Sequence, residues 1–465
     1  MKQFLIVLLL LQANSGYSSP VFPRILNSGT DKLLQPVAPA EKAAVPFMIH
    51  RAQQALTDII VHDIFSPPVA SRIYAYANIA AYEALVGTGQ NLVPLRKISA
   101  SLPDLKGIKA GRQVSAELSS VYAFLLTAKA LVFSEQRMED TIGVLLSQFQ
   151  KTVPDQKTFS NSLAFGKRIA DSILSWSAAD FYKKTRSLRR YSHKREAGKW
   201  IPTPPAYIAA IEPNWNLMRC LFMDSASQFK PELPAIYSSD STSRFYQQLL
   251  QVYNTGKNLS PEQRDIALFW DCNPFFVNTS GHLMYATKKL SPGGHWISIT
   301  GIAARNSNKN LAETIQAYTM VSIALYDGFI SCWDEKYRSN YIRPETVINA
   351  MVDESWRPLL QTPPFPEYTS GHSVISNAAA VVLTHLFGND FAFADDTETA
   401  FGLPVRYFNS FIEAAEEAAI SRLYGGIHFY DAIENGKLQG LNLGRHIVQK
   451  LQNADSRYKI PASSR

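Results

Sequence analysis

The sequence predicts an all-α protein built from helical bundles. Apolar residues recur at three- and four-residue spacing in one run after another, the repeat that places them on a single helical face. No strand-rich segment and no internal repeat is evident. Several runs begin or end on residues suited to helix termini, such as Ser134, Pro261 and Gly388.

The chain starts with Met1-Lys2-Gln3, an apolar run over 4–11, and small polar residues at Ser15, Gly16, Ser18 and Ser19. This pattern reads as a secretory signal peptide over 1–19, and its run is too short to span a bilayer. No Cys follows the run, which argues against a lipoprotein anchor. Residues 20–44 are rich in Pro and Ala and read as an extended arm. From Pro46 onward, Ile49, Ala52, Leu56, Ile59 and Ile60 mark a helix that Pro67-Pro68 is expected to break. Residues 71–86 form a second helix, apolar at Ile73, Tyr76, Ala77, Ala80 and Ala84, and 88–110 a loop. Residues 112–132, 135–150 and 159–179 supply three more, with Ser134 as an N-cap and Ile169, Ile173 and Trp176 on one stripe. Residues 181–242 hold many prolines and a basic cluster over 183–199, which reads as a solvated loop. A connection of that length usually serves or covers a site.

The second half resumes with helices over 243–254 and 261–269. His282 and His295 follow among glycines; His282 reads as structural, and His295 as either structural or part of a site wall. Residues 311–333 form a long buried helix that delivers Lys336 from its C-terminal end. Residues 370–387 form a core helix closed by Gly388, and 389–400 an acidic loop. Residues 408–424 are helical with Glu413, Glu416 and Glu417 outward, and Gly425-Gly426 lets His428 fold back over Arg422. A last helix covers 432–451. The expected organisation is a leader (1–19), an N-terminal helical region with its irregular connection (20–240) and a catalytic core (241–460).

Composition narrows the function classes. The net charge is +7, but the basic residues are spread out and no aromatic-interleaved basic motif suggests nucleic acid. After the leader no segment has eighteen uninterrupted apolar residues; 311–333 comes closest and is broken by Glu313, Gln316 and Asp327. No transmembrane anchor is therefore expected, and an exported protein, periplasmic or secreted, follows. Cys220, Cys272 and Cys332 are odd in number, match no metal-site spacing and read as small buried residues, with nothing to support a disulfide.

Three separated pieces carry the chemistry. Lys336 and Arg343-Pro344 form the first, Ser370-Gly371-His372 the second, and Ser421-Arg422 with His428 the third. Together they supply three cations, two imidazoles, a hydroxyl and a glycine amide at a helix start. That set suits an oxyanion: Arg forks bind its oxygens, Lys adds a point charge, and the helix N-terminus adds amide donors. One His can then bond the central atom while the other shuttles a proton. Any one piece alone would be an ordinary loop or turn. The fold class places this oxyanion site between core helices of the C-terminal half.

The order Lys-x6-Arg-Pro, Ser-Gly-His, Ser-Arg-x5-His resembles the phosphatase/haloperoxidase superfamily. Thr369 stands where that family usually has Pro, with Pro366 displaced upstream, and Ala432 stands where an Asp usually follows the last His, Asp431 being one position early. The helical N-terminal half, Phe269-Trp270-Asp271-Cys272-Asn273-Pro274 and Pro292-Gly293-Gly294-His295-Trp296 look like bacterial vanadium-dependent haloperoxidases, the iodoperoxidase-like branch especially. The resemblance implies vanadate as cofactor, with His428 as its one protein ligand. Lys336, Arg343, Ser370, Gly371 and Arg422 would bind its oxygens. It also implies hydrogen peroxide and halide as substrates and hypohalous acid as product, with His372 taking the peroxide proton and Lys336 polarising the peroxide. Phe365, Trp333 and Tyr368 are candidates for a halide wall. A homo-oligomer stays open. The alternative is a phosphomonoesterase, in which His428 attacks a phosphate ester through a phosphohistidine and His372 protonates the leaving alcohol. The Asp missing after His428 would have oriented that nucleophile. A non-catalytic anion binder would not need two positioned His residues.

Overall fold

The structure is a computed structural model and describes residues 47–280, 283–286 and 288–455. The leader and arm expected over 1–44, and His282, lie outside these residues. The N-terminal half contains α1 (Met48–His62), α2 (Pro67–Gly87), the short α3 (Leu95–Ile98), α4 (Ala116–Lys129), α5 (Glu135–Thr152), α6 (Gln156–Ser177) and α7 (Tyr182–Ser187). The C-terminal half contains α8 (Arg244–Lys257), α9 (Pro261–Phe269), α10 (Pro292–Asn306), α11 (Leu311–Ser339), α12 (Pro344–Met351), α13 (Gly371–Phe387), α14 (Phe411–Tyr424) and α15 (Tyr430–Ala454). Two antiparallel two-stranded ribbons complete it: β1 (Val277–Ser280) with β2 (Leu283–Ala286), and β3 (Phe393–Asp395) with β4 (Arg406–Phe408). Val277 faces Ala286 in the first ribbon and Phe393 faces Phe408 in the second. The all-α expectation holds.

Two helices are apolar nearly all round and therefore lie at the centre. α2 is buried from Pro67 to Leu85, and α11 from Thr314 to Cys332 and on to Lys336 with few breaks. They pack on each other; α4 and α6 cover α2, and α13 packs between α11, α14 and α15. α13 and α15 approach backbone to backbone because Gly436, Gly440 and Gly444 recur every four residues on one face of α15. A Cβ on Gly436 would lie 3.0 Å from the Ser370 carbonyl, and one on Gly444 would lie 2.7 Å from Val381 Cβ. This contact fixes the start of α13, where Ser370 N donates to the Ala432 carbonyl at 3.0 Å.

Several boundaries differ from the sequence-based expectation. Pro67-Pro68 opens α2 rather than only breaking α1, because proline in the first turn sacrifices no intrahelical bond. α10 and α12 were not anticipated. α10 is capped by the Ser291 hydroxyl, which accepts from Gly294 N at 3.1 Å, and a Cβ at Gly294 would come within 2.8 Å of Leu290. α11 runs on to Ser339, so Lys336 is within the helix. Residues 406–408 form β4, and α14 starts at Phe411 behind the Ser410 cap. Glu417 turns inward, where it accepts from Trp270 Nε1 at 3.0 Å and Arg406 Nε at 2.7 Å. The three cysteines are unpaired, and Cys220 is only partly buried. Among the described residues no helix is long and apolar enough to cross a membrane.

Candidate active site

Five elements bring the expected residues together. Lys336 comes from the last turns of α11 and Arg343 from the N-cap of α12. Ser370 caps α13 and Gly371 and His372 form its first turn. Arg422 is in the last turn of α14, and His428 lies in the link to α15. Gly426 in that link has φ +76°, a left-handed conformation that turns the chain back toward the site. Gly371, His372, Arg422 and His428 line one small cavity of about 40 Å³, walled by Phe275, Phe329, Trp333, Phe365 and Ile427, with Asp271, Cys272, Asn273 and Gln361 at other points. Lys336, Arg343 and Ser370 are fully buried and are not among the residues that line it. The Lys336 and Arg343 charges lie 5.1 and 5.2 Å from the Phe365 ring centre.

The cations are held on backbone carbonyls. Arg343 Nε donates to Phe365 O at 3.0 Å and Nη1 to Ile427 O at 2.8 Å, while buried Nη2 has no partner among the described residues. Arg422 Nη2 donates to Trp270 O at 2.7 Å and Nε to the Ser421 hydroxyl at 2.9 Å. Lys336 Nζ donates to Pro366 O and Glu367 O, each at 3.0 Å, and to Thr369 O. All three ammonium protons thus go to one loop. Burial pushes Lys336 down to about 8 and each of Arg343 and Arg422 down to about 10.

The imidazoles are neutral. Burial, then Arg343, Lys336 and Arg422, hold His428 well below the ordinary histidine value. Burial, Arg422 and His295 do the same to His372, against a backbone hydrogen bond to Trp270. His428 Nδ1 meets Glu367 Oε1 at 2.8 Å, and Nε2 faces Arg343 Nη1 at 3.3 Å. Nε2 of His372 is buried and has no partner among the described residues. Ser370 Oγ accepts from Ser373 N at 3.3 Å and Ser373 Oγ at 2.9 Å, which leaves its own proton available.

Glu367 was not anticipated. It is fully buried, and burial pushes it up to about 7 although Arg343 and Lys336 pull it down. Its position just before the Ser-Gly-His piece was the only sequence signal. Asp431, one position early for the family motif, instead accepts from Arg244 Nη2 and Gln248 Nε2, each at 2.7 Å. Two wall candidates are corrected. Tyr368 is buried away from the cavity, with its hydroxyl directed to the Glu232 carbonyl. His295 lies behind Trp270, its ring stacked on the indole at 4.5 Å, and does not line the cavity.

Three buried cations, two neutral imidazoles and a helix N-terminus around one cavity define an oxyanion-binding helical protein. The model for the VCPO second helical-bundle domain matches residues 316–456. The chain is 47% identical to a bacterial vanadium-dependent iodoperoxidase of known crystal structure, with a TM-score of 0.81 over 88% of this chain and 98% of that one. Holo and apo bacterial vanadium-dependent chloroperoxidases share the fold at 15% and 14% identity, each with a TM-score of 0.62 over 84% of this chain and 94% and 95% of theirs. No curated protein matches. The chain belongs to the vanadium-dependent haloperoxidases.

The residues present fit the vanadate that this family uses. Arg343 Nη2 is a buried donor awaiting an acceptor. A Cβ at Gly371 would touch only Trp333, at 3.8 Å, so the space before this first helical amide is open. The three cations outnumber the Glu367 and Asp271 carboxylates beside them, which also favours an anion.

Proposed function

We propose that the protein oxidises halide with hydrogen peroxide in this cavity, and that iodide is its best halide. Vanadate, when bound, supplies a Lewis-acidic centre that activates peroxide oxygen toward halide without changing its own oxidation state. Arg343 and Arg422 bind oxyanion oxygens, and the Gly371 amide and Ser370 hydroxyl add donors. His428 offers the Nε2 lone pair to the metal, because Glu367 holds the proton on Nδ1. His372 Nε2, neutral and unpartnered, takes the proton from hydrogen peroxide and returns it to the product. Lys336 adds its charge from behind Phe365 and positions the 366–369 loop, its protons being committed to that loop's carbonyls.

The halide preference rests on the wall. Phe275, Phe329, Trp333 and Phe365 present apolar, polarisable surface, and a large halide loses least hydration on entering such a space. The 47% identity to an iodoperoxidase points the same way. The observation that carries the catalytic reading is the Glu367–His428 bond, which prepares Nε2 as a ligand.

The test is the metal-stripped protein reloaded with orthovanadate and assayed with iodide, bromide, chloride and a phosphate ester. Halide oxidation should depend on vanadate, with kcat/KM greatest for iodide. Ester hydrolysis blocked by vanadate, without halide oxidation, would overturn the whole reading; a bromide preference would overturn only the iodide part. Residues 1–19 also support export to the periplasm or medium. Native protein still carrying Met1 would contradict that.

A further inference from the structure

Behind the Trp270 ring three side chains from distant parts of the chain converge. His295 Nδ1 lies 3.6 Å from Cys272 Sγ and 3.2 Å from Glu398 Oε1, and Sγ lies 3.8 Å from that oxygen. All three residues are buried. Tetrahedral bonds of about 2.3 Å to sulfur and about 2.0 Å to nitrogen and oxygen would set sulfur roughly 3.5 Å from either ligand and nitrogen roughly 3.3 Å from oxygen. The observed triangle is close to those dimensions.

The far side of the imidazole is prepared as well. Nε2 lies 2.8 Å from Asp395 Oδ2 and 2.7 Å from the Thr397 hydroxyl. Asp395 is itself fixed by the Thr397 amide at 3.1 Å. A carboxylate that holds the proton on Nε2 would let Nδ1, once its own proton is displaced, turn a lone pair toward Cys272 and Glu398, the pattern of a metal-bound imidazole.

Charge bookkeeping permits the exchange. Burial opposes a charged His295, but Asp395 prevails and holds the ring protonated; burial and Glu398 keep the Cys272 proton on its sulfur. One divalent cation would displace the Nδ1 proton and the thiol proton together. The net buried charge stays the same, so binding adds no uncompensated charge to the interior.

We propose that Cys272, His295 and Glu398 bind one divalent cation of the zinc class behind the Trp270 ring, with Cys272 shared between this site and the wall of the vanadate pocket and a fourth position left for water. The ion would tie α10 and the turn after β3 to the segment after α9. That segment carries Trp270, whose carbonyl holds Arg422 Nη2 at 2.7 Å, so the ion would act as a positioning element for Arg422. The inference goes beyond halide oxidation and does not rest on it.

The test uses full-length, untagged protein stripped with a chelator and titrated with Co²⁺, without vanadate. Wild type should bind one equivalent, show a sulfur-to-cobalt charge-transfer band, release about two protons per ion and lose the band when Zn²⁺ is added. Cys220→Ser should keep the band and Cys272→Ser should lose it. Absence of the band in wild type, or its survival in Cys272→Ser, would overturn the proposal. Should Cys272→Ser not fold, zinc-edge X-ray absorption on the Cys220→Ser protein decides: one sulfur ligand supports the site, and a shell of nitrogen and oxygen only overturns it.

Discussion

Glu367 Oε1 accepts from His428 Nδ1 at 2.8 Å and from the Phe429 amide at 2.9 Å. One carboxylate oxygen thus fixes both the ring and the backbone that carries it. In the family motif an Asp after the last His would be expected to orient that ring, and here Ala432 stands in its place. The orienting group is present, but it arrives from the opposite side of the site, one residue into the loop that Lys336 clamps.

Glu367→Gln should therefore weaken vanadate binding by about 10–100-fold, the usual cost of losing an outer carboxylate on a ligating histidine. Asp431→Asn should leave vanadate binding unchanged, because Asp431 is occupied with Arg244 and Gln248. Equilibrium dialysis of both variants checks this. A larger loss in Asp431→Asn than in Glu367→Gln would show that the orienter has been misassigned.

The same carboxylate has a cost in the protein without vanadate. Its value rises from 4.5 to about 7, mainly through burial. A raised acid contributes stability that is full below the unfolded value and is lost as pH rises through the folded one. Wild type should thus lose up to about 3 kcal/mol through this group between pH ~4.5 and pH ~8. Gln does not titrate, so melting curves of Glu367→Gln should gain on wild type across that window. The variant would be more stable and less active. A constant melting difference at all pH values would mean that Glu367 keeps an ordinary value.

Lys336→Met tests whether the ammonium acts on the reactants alone. The motif led to the expectation that Lys336 binds a vanadate oxygen and polarises the peroxide. Its bonds to the carbonyls of Pro366, Glu367 and Thr369 imply that it also positions their loop. Those buried acceptors would each lose a donor, at ~1–3 kcal/mol apiece. The variant should melt lower, bind vanadate more weakly and turn over more slowly. Unchanged melting and vanadate affinity with slow turnover would return Lys336 to a purely chemical role.

Much of this was legible in the sequence because it is local. Periodicity marks most helices, and the start of α13 follows to within one residue from Ser-Gly-His opening an apolar run, Ser370 being its N-cap rather than its first helical residue. The Ser-Gly-His and Ser-Arg pieces fell on the expected helix ends, whereas Lys336 lies within α11 and Arg343 caps the unexpected α12. What was missed depends on distant partners. α10 carries Gly294 and Gly301, which read locally as breakers but make room for Leu290, Tyr74 and Tyr318. Glu367 finds its histidine 61 residues away, and Cys272 meets Glu398 across 126 residues, so neither pairing has a short spacing to read.

The two histidines separate the proposed roles. Both are held neutral well below the ordinary value, but their contacts differ. His428 has Nδ1 committed to Glu367 and Nε2 left as an acceptor, facing Arg343 Nη1 at 3.3 Å, the state of a ligand. Nε2 of His372 has no partner among the described residues, the state of a proton acceptor awaiting one. His428→Ala removes the one protein–vanadium bond the assignment allows and should abolish halide oxidation and weaken vanadate binding. His372→Ala should retain vanadate yet lower turnover by ~10²–10⁴-fold, the usual contribution of a positioned proton shuttle. Because burial and the nearby cations keep His372 unprotonated, the vanadate affinity of the His372→Ala protein should follow wild type as pH passes through 6.5. Vanadate titration and steady-state halide oxidation of both variants, run side by side, measure this. Equal loss of vanadate affinity in the two would show that both imidazoles hold the oxyanion, and the division into ligand and shuttle would then fail.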